Sequence, residues 1–498
     1  MDLIKEIVIT LSEVDKKEFE QFLTRKRPGK GRKDVEVFTH LYNLYNSSIA
    51  KKNIFSGDQN YHALRKRITK SLTNFLILKK SISEQKINKR EGVILMISYF
   101  IERKKFKVAW ELLDKEEKNA EKIKNIDLNL KIQRLKLTIL PYYNQEKFPI
   151  IKEKMIDLQI KQAQIDEFQL YFIQIRNELK LKILEGNVDS PTETIRQAIQ
   201  QYKNIRHEYN NPSIHLKVIE IIRSEYIINR KFKVFEKVVQ KYYNEIPTEV
   251  FNDLSHVNTI AQIEYIMSYT FLNTRQFEMS KTHLSNLFSL IDQNEIVKIN
   301  YQAKYIAIDS FIKVFDLKIH DAIESISIFL KNKKSTITLQ ENLNLSLNLA
   351  AFLITEGSYS KAVKILNFMF ESDNYYQKEM GREWLIRKEM IMAIAQTSLG
   401  NIDNSLRIMK AIEEKHKDML SINQYSMVLP FIDLLKLYIN NPNEVNHEVL
   451  SNFEKKINLQ KEKVFRDPRL IIFYAWIKSK YLNKDAYTVL IEEFDKMS

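Results

Sequence analysis

The sequence contains no cysteine and few glycines or prolines. The absence of cysteine excludes disulfide bonds, thiolate metal sites and cysteine nucleophiles. The 498 residues include 8 glycines and 9 prolines, whereas globular proteins average about 7% and 5% of these residues. Because a sheet needs a turn about every 8–12 residues, and turns use glycine and proline, the shortage predicts an all-α chain.

Long apolar runs are also missing. No window approaches about 18 uncharged apolar residues, the length that a membrane-spanning helix needs. Asp2, Lys5 and Glu6 lie where a signal peptide would need an apolar run. We therefore expect a cytoplasmic protein that does not insert into a membrane.

The common catalytic motifs are absent as well. The chain has no glycine-rich phosphate loop, no HExxH, no GxSxG and no run of carboxylates at metal-ligand spacing. The histidines never recur at helical spacing, so structural or surface roles are the better interpretation, although side chains from distant parts of the chain could still meet in the fold. They are His40, His62, His207, His215, His256, His283, His320, His416 and His447. We expect no catalytic residue, no metal site, no cofactor and no small-molecule substrate.

What the chain has instead is a recurring helical pattern. After residue 350 an apolar stretch ends at Gly357, and an aromatic residue, Tyr359, and a small residue, Ala362, open the next apolar stretch. The small residue allows two helix backbones to approach closely, and the aromatic residue fills the crossing between them. Corresponding landmarks follow one another at steps of 40 to 45 residues: Phe106, Phe148, Val188, Phe232, Phe277, Ile319, Tyr359, Ile402, Val445 and Asp485. Each interval fits one helix–turn–helix hairpin, which must stack on its neighbours to bury both faces.

At its clearest turns the chain resembles the tetratricopeptide-repeat family. Those turns are Gly357, Tyr359 and Ala362, and Gly400, Ile402 and Ser405. The period of about 42 residues exceeds that family's usual length of about 34, and the family's first-helix Trp and Gly are mostly absent. The resemblance covers residues 86–498 and implies an α-solenoid of about ten stacked antiparallel helical hairpins. In that family a peptide or protein usually docks on the concave surface, so the resemblance implies docking but assigns no binding residue.

The first 80 residues lie outside this pattern and carry an excess of positive charge. They hold 17 Lys or Arg and 9 Asp or Glu residues in a chain of net charge +15. Between Thr24 and Lys80 the balance is 14 basic to 3 acidic residues, which attracts polyanions or acidic protein surfaces. Helix caps and apolar spacing predict three helices, after Ser12, from Asp34, and from about Asp58 to Lys80. Residues 1–80 would form a basic three-helix module or the cap of the solenoid.

Two basic clusters in this module are candidate nucleic-acid-binding sites. The first is a predicted non-helical loop over Thr24–Lys33, interrupted by one proline and two glycines. Its members are Arg25, Lys26, Arg27, Lys30, Arg32 and Lys33. Such a loop can follow a phosphate backbone, but no aromatic residue interleaves it, so a merely solvated loop is the alternative.

The second cluster lies on the third predicted helix. It consists of Arg65, Lys66, Arg67 and Lys70. With the apolar stripe turned inward, helical geometry predicts that residues 65, 66, 69, 70 and 73 face outward. A helix-turn-helix protein would present such a face to the major groove of DNA. The turn that precedes this helix is too long for that motif, so a solvated face is the simpler interpretation.

Together these observations predict a scaffold or adaptor and not an enzyme. In the preferred interpretation the solenoid holds a protein partner, and the basic module contacts RNA or a ribonucleoprotein. One alternative is a transcription regulator with N-terminal DNA-binding helices and a ligand-sensing repeat domain. The other is a purely protein–protein scaffold, in which the basic residues bind an acidic protein.

Overall fold

The computed structural model of the chain describes residues 3–26, 33–46, 59–87, 89–122, 125–185, 192–205, 212–228, 232–246, 251, 256–331, 337–421, 428–442, 447–458 and 468–495. These residues contain 25 α-helices and no β-strand. The prediction of an all-α chain is therefore confirmed. None of the described helices combines the length and the apolarity that crossing a membrane would require.

The first of two compact units comprises Met1–Glu116 and Leu135–Gln145. Its helices are α1 (Leu3–Ile9), α2 (Glu13–Lys26), α3 (Lys33–Asn46), α4 (Gln59–Ile87), α5 (Lys89–Glu102), most of α6 (Phe106–Lys122) and the end of α7 (Ile126–Ile139). The three helices predicted in residues 1–80 are α2, α3 and α4. A short helix, α1, precedes them because Ile4 and Val8 fall one turn apart and are buried in the same core.

Aromatic side chains hold α2, α3 and α4 together. The ring of Phe19, which is fully buried, lies 4.7 Å from that of Phe38 and 5.4 Å from that of Phe75, measured between centroids. Offset and edge-on contacts at such distances are favourable between aromatic rings, beyond the burial of apolar area. One residue of α2 thus fixes the positions of both neighbouring helices.

The second unit comprises Glu117–Arg134 and Glu146–Ser498. Besides parts of α6 and α7, its helices are α8 (Phe148–Glu185), α9 (Thr192–Ile205), α10 (Pro212–Ile228), α11 (Phe232–Asn244), α12 (Val257–Asn273), α13 (Phe277–Gln293), α14 (Glu295–Phe315), α15 (Ile319–Lys331), α16 (Leu339–Glu356), α17 (Tyr359–Asn367), α18 (Asp373–Met380), α19 (Arg382–Ser398), α20 (Ile402–Lys415), α21 (Lys417–Leu420), α22 (Val428–Asn440), α23 (His447–Asn458), α24 (Pro468–Leu482) and α25 (Ala486–Asp495). The boundary predicted between residues 80 and 86 stays a prediction.

The landmarks of the sequence pattern coincide with helix starts. The landmarks that are the first residue of a described helix are Phe106, Phe148, Phe232, Phe277, Ile319, Tyr359 and Ile402. Asp485 directly precedes α25, while Val188 and Val445 lie outside the described residues. The aromatic or branched residue therefore marks the point where the chain enters a new helix.

A left-handed backbone residue precedes these starts. Two positions before the landmark, Lys104, Arg275, Leu317, Gly357 and Gly400 all have φ between 57° and 91°. Glycine adopts this conformation without strain, whereas a residue with a Cβ atom pays about 1–2 kcal/mol for it. The backbone therefore makes the same turn at several landmarks, even where the sequence offers no glycine.

The small residue three positions after the landmark is buried against the preceding helix. Ala109, Ser280, Ala322, Ala362 and Ser405 are all 0% exposed. The serine hydroxyls show how close the helices are, because the Oγ of Ser280 donates to the carbonyl oxygen of residue 268 at 2.9 Å. The Oγ of Ser405 donates in the same way to the carbonyl of residue 393, also at 2.9 Å.

One predicted turn does not exist. Between the landmarks at 148 and 188 the pattern predicts two helices joined by a turn, but the structure has a single helix of 38 residues, α8. Residues 150–185 contain neither glycine nor proline, and none of them adopts the left-handed conformation that precedes the other helix starts, so nothing interrupts the helix. Pro149 is tolerated at the second position, where no intrahelical N–H is needed.

The last helix of the second unit packs on much earlier residues of that unit. The ring centroid of Phe494 lies 4.0 Å from that of Phe315 and 5.4 Å from that of Phe277. The hydroxyl of Tyr487 donates to the carbonyl oxygen of Val314 at 2.6 Å. Within this unit α25 therefore contacts residues of α13 and α14.

Candidate nucleic-acid interface

The first predicted basic cluster lies where α2 ends and α3 begins. α2 continues through Arg25 and Lys26, and α3 starts at Lys33. The predicted non-helical loop is therefore too long at both ends, while Arg27, Lys30 and Arg32 lie outside the described residues. Positive side chains in the last turn of a helix interact favourably with its dipole, which explains why α2 runs past Thr24.

The second cluster lies on α4 as predicted. Lys66, Arg67 and Lys70 are exposed, and Arg65 is half-buried. Ile68 and other apolar residues of the same turns are buried against the core. The predicted outward orientation of Lys66 and Lys70 is confirmed, Arg67 is exposed as well, and Arg65 lies at the edge of the exposed face.

The packing of α2 against α4 brings Arg25 of the first cluster near Lys70 of the second. Near the start of α2, Asp15 Oδ1 accepts from Lys79 Nζ at 2.5 Å, and two turns later Phe22 packs on Phe75. The two helices are therefore antiparallel, and the end of α2 lies beside the middle of α4. Arg25 and Asn74 accordingly line one groove, and Lys70 is one turn from Asn74.

The start of α3 lies at the same end. Thr39 Oγ1 donates to Glu20 Oε1 at 2.8 Å, and one turn further along α3 the ring centroid of Tyr42 lies 4.7 Å from Lys16 Nζ, one turn earlier on α2. α3 is therefore antiparallel to α2, so Lys33 lies near the end of α2. We call Arg25, Lys33, Lys66, Arg67 and Lys70 the basic end.

The basic end lacks acidic partners. Within the part of the chain that the structure describes, no carboxylate lies within ion-pair distance of its five side chains. The opposite end differs, because Lys79 lies 2.5 Å from Asp15 and 2.6 Å from Glu18. Burial opposes the charge of Asp15, but hydrogen bonds from Lys79 and Ser12 outweigh it and lower the pKa of that carboxyl.

An open apolar groove adjoins the basic end. It encloses about 580 Å³ between α2 and α4 and is lined by Phe22, Arg25, Asn74, Ile77 and Leu78. Ile77 is 57% exposed and Leu78 52% exposed. The sequence analysis missed this groove, although the run of four apolar residues from 75 to 78 gave a signal, since four consecutive residues of a helix cannot all face one core.

Two of the histidines form hydrogen bonds with residues of the helix that precedes theirs. His283 Nδ1 lies 2.7 Å from Glu264 Oε2, and Tyr243 donates to the other oxygen of that carboxylate at 2.9 Å. His215 Nδ1 lies 2.8 Å from the hydroxyl of Tyr202. Sequence could not reveal these pairs, because their members lie on different helices. Both histidines are buried, so their role here is structural.

Among the described residues, no group of three or more His, Asp or Glu side chains is arranged to hold a metal ion. No family model matches the chain, and neither the curated proteins nor the solved structures compared with it include a significant match.

Proposed function

We propose that the chain is a non-enzymatic cytoplasmic scaffold that binds RNA or a ribonucleoprotein through the basic end. The observation that carries this proposal is the proximity of Arg25 and Lys33 to Lys66, Arg67 and Lys70, about forty residues away in sequence, with no carboxylate of the described residues within ion-pair distance of these five side chains. Each phosphate that a lysine or arginine contacts releases condensed counterions, which favours binding regardless of base sequence.

A DNA-reading domain has less support. Helix-turn-helix proteins join their two helices by about 3–4 residues, whereas residues 47–58 separate α3 from α4. The exposed face of α4 offers Lys66, Arg67 and Lys70, which suit phosphate contacts.

The helical hairpins are proposed to form a tetratricopeptide-like α-solenoid that holds a protein partner. Support comes from the left-handed turn residues and the buried small residues that recur along the second unit. Hairpins that repeat at one spacing bury their faces by stacking, and the stacks expose long surfaces suited to docking.

A second candidate is a scaffold that binds only proteins. The apolar groove beside Ile77 and Leu78 favours it, because phosphate backbones gain nothing from exposed aliphatic side chains, whereas an amphipathic helix with acidic residues would bury them. In this alternative the basic end attracts the acidic residues of the partner.

Affinity capture of the intact protein from its own cells, with and without nuclease, separates the two candidates. Serine at all six positions of the first cluster, from Arg25 to Lys33, should abolish every nuclease-sensitive association and leave the helical content unchanged. The control carries serine at six exposed lysines elsewhere: Lys298, Lys318, Lys361, Lys364, Lys410 and Lys417. If all captured partners survive both nuclease and the first variant, RNA binding is contradicted and the protein-only scaffold is favoured.

A further inference from the structure

A second cationic site lies inside the second unit, in a cavity of about 330 Å³ between α18, α19 and α20. Its polar lining includes Lys388 and Glu389 of α19 and Arg407 of α20. Met392 and Ile408 contribute apolar walls. The cavity therefore joins charged groups to an apolar surface.

Two of the cavity's positive charges have no acidic partner. Lys415 Nζ is neutralised by Asp373, whose Oδ2 lies 2.8 Å away. By contrast, Lys388 Nζ lies over the ring of Tyr376, 4.9 Å from its centroid. Arg407 donates a hydrogen bond to Asn404 Oδ1 at 2.9 Å. Within the described residues, neither Lys388 nor Arg407 has a carboxylate in ion-pair range.

One oxygen of the Glu389 carboxyl group, Oε2, is buried and also lacks a hydrogen-bond partner among the described residues, an arrangement that native structures usually avoid. Burial, and next the charge of Asp373, raise the pKa of Glu389 to about 7, against the opposing charges of Lys415 and Lys388. At neutral pH the carboxyl is therefore protonated in about half of the molecules and can donate a hydrogen bond.

We propose that this cavity binds a carboxylate carried on a short apolar stem. Lys388 and Arg407 would donate to the carboxylate, and Met392 and Ile408 would contact the stem. With Asp373 and Lys415 already paired, Lys388 and Arg407 are left to face the ligand, beside the carboxyl group of Glu389. A phosphate dianion would instead place a double charge beside two carboxyl groups.

Two sources could supply this chemistry: an acidic side chain of a bound protein segment, or a free organic acid. The first source rests on the proposed scaffold function, and the second does not. In either case the ligand's charge beside Glu389 favours the protonated form, so binding takes up a proton. Affinity should rise as the pH falls from 8 to 6.

Calorimetry on the purified full chain tests the proposal with three probes. They are the peptide acetyl-Ala-Ala-Glu-Ala-Ala-amide, its glutamine counterpart, and butyrate. We expect the glutamate peptide or butyrate to bind about tenfold more tightly at pH 6 than at pH 8, and the glutamine peptide not to bind. Binding of butyrate alone would identify a free acid as the source, and tighter binding of the glutamate peptide would identify a side chain.

Single substitutions connect the binding to the cavity. Lys388→Met and Arg407→Met should each weaken binding about tenfold, as expected for a charge-assisted contact. Lys410→Met, on the exposed side of α20, is the matched control and should leave it unchanged. Glu389→Gln keeps a donor at every pH and should abolish the pH dependence. Circular dichroism checks that each variant is folded.

Three results would overturn the proposal. The first is no heat of binding with the glutamate peptide or butyrate, and the second is equal binding of the glutamine peptide. The third is unchanged binding in both Lys388→Met and Arg407→Met. These results are independent of RNA binding. The serine variant of Arg25–Lys33 should bind the carboxylate probes as the parent does, so the two proposals can fail separately.

Discussion

The basic end and the cavity both present cations that lack acidic partners among the described residues, but in different surroundings. Lys66, Arg67 and Lys70 are exposed, so their attraction acts through water and is screened by salt. Lys388 is half-buried and stands beside Glu389, whose carboxyl is half-protonated at neutral pH. The same charge should therefore produce a salt-dependent surface in one unit and a pH-dependent site in the other.

The largest effect should follow loss of the basic end. Replacing Lys66, Arg67 and Lys70 together with serine should weaken RNA binding by about 100-fold at moderate salt and lower the slope of log affinity against log salt by about 2–3. Fluorescence anisotropy with a labelled single strand measures both quantities. The control is the double variant Lys388→Met, Arg407→Met, which should bind RNA as the parent does. If the control weakens RNA binding as much, the two sites are not separate.

The next largest effect is the change in the free energy of unfolding with pH that Glu389 of the cavity causes. Glu389 has a pKa of about 7 in the folded chain, against 4.5 ordinarily. Between these two pH values the folded state therefore holds a proton that the unfolded state releases. The contribution of Glu389 to the stability of the fold is fully present below about pH 4.5 and is lost as the pH rises through 7. Glu389→Gln removes this loss, and we expect it to gain on the order of 2 kcal/mol relative to the parent between pH 5 and pH 8. Urea unfolding at the two pH values measures this, and a constant difference would contradict it.

The smallest predicted effect is a difference in stability between variants of two lysines on α4. Lys79 pairs with Asp15 and Glu18, whereas Lys70 has no ion pair among the described residues. Lys79→Met should therefore destabilise the chain by about 0.5–1 kcal/mol, and Lys70→Met should not. RNA affinity should show the opposite order, with only Lys70→Met weakening it. Thermal unfolding and anisotropy on the same two variants check both halves, and equal stability losses would refute the distinction.

Much of the local fold was predictable because helix starts leave a sequence signature. An aromatic or branched residue followed by a small one correctly located starts such as Phe277 and Tyr359. The failure at α8 has a physical cause, since the pattern assumed a turn where no residue breaks the helix. Leu317 also shows that a left-handed turn can form without glycine, which composition does not reveal.

The candidate sites were predictable to different degrees. The basic residues are visible in composition, and helical geometry gave the exposure of Lys66 and Lys70. Their meeting with Arg25 required the antiparallel packing of α2 on α4. The cavity gave no sequence signal, because Glu389 and Arg407 lie in unremarkable charged stretches and acquire their properties from burial and from Asp373 on a third helix.

The central claim is that the basic end binds polyanions without reading their sequence. The most direct test titrates the purified chain with several unrelated RNA and DNA strands at rising salt. We expect similar affinities for all strands and a steep linear fall in log affinity with log salt. A sequence preference that persists at high salt would indicate a DNA or RNA reader, and the absence of salt-dependent binding would contradict the claim altogether.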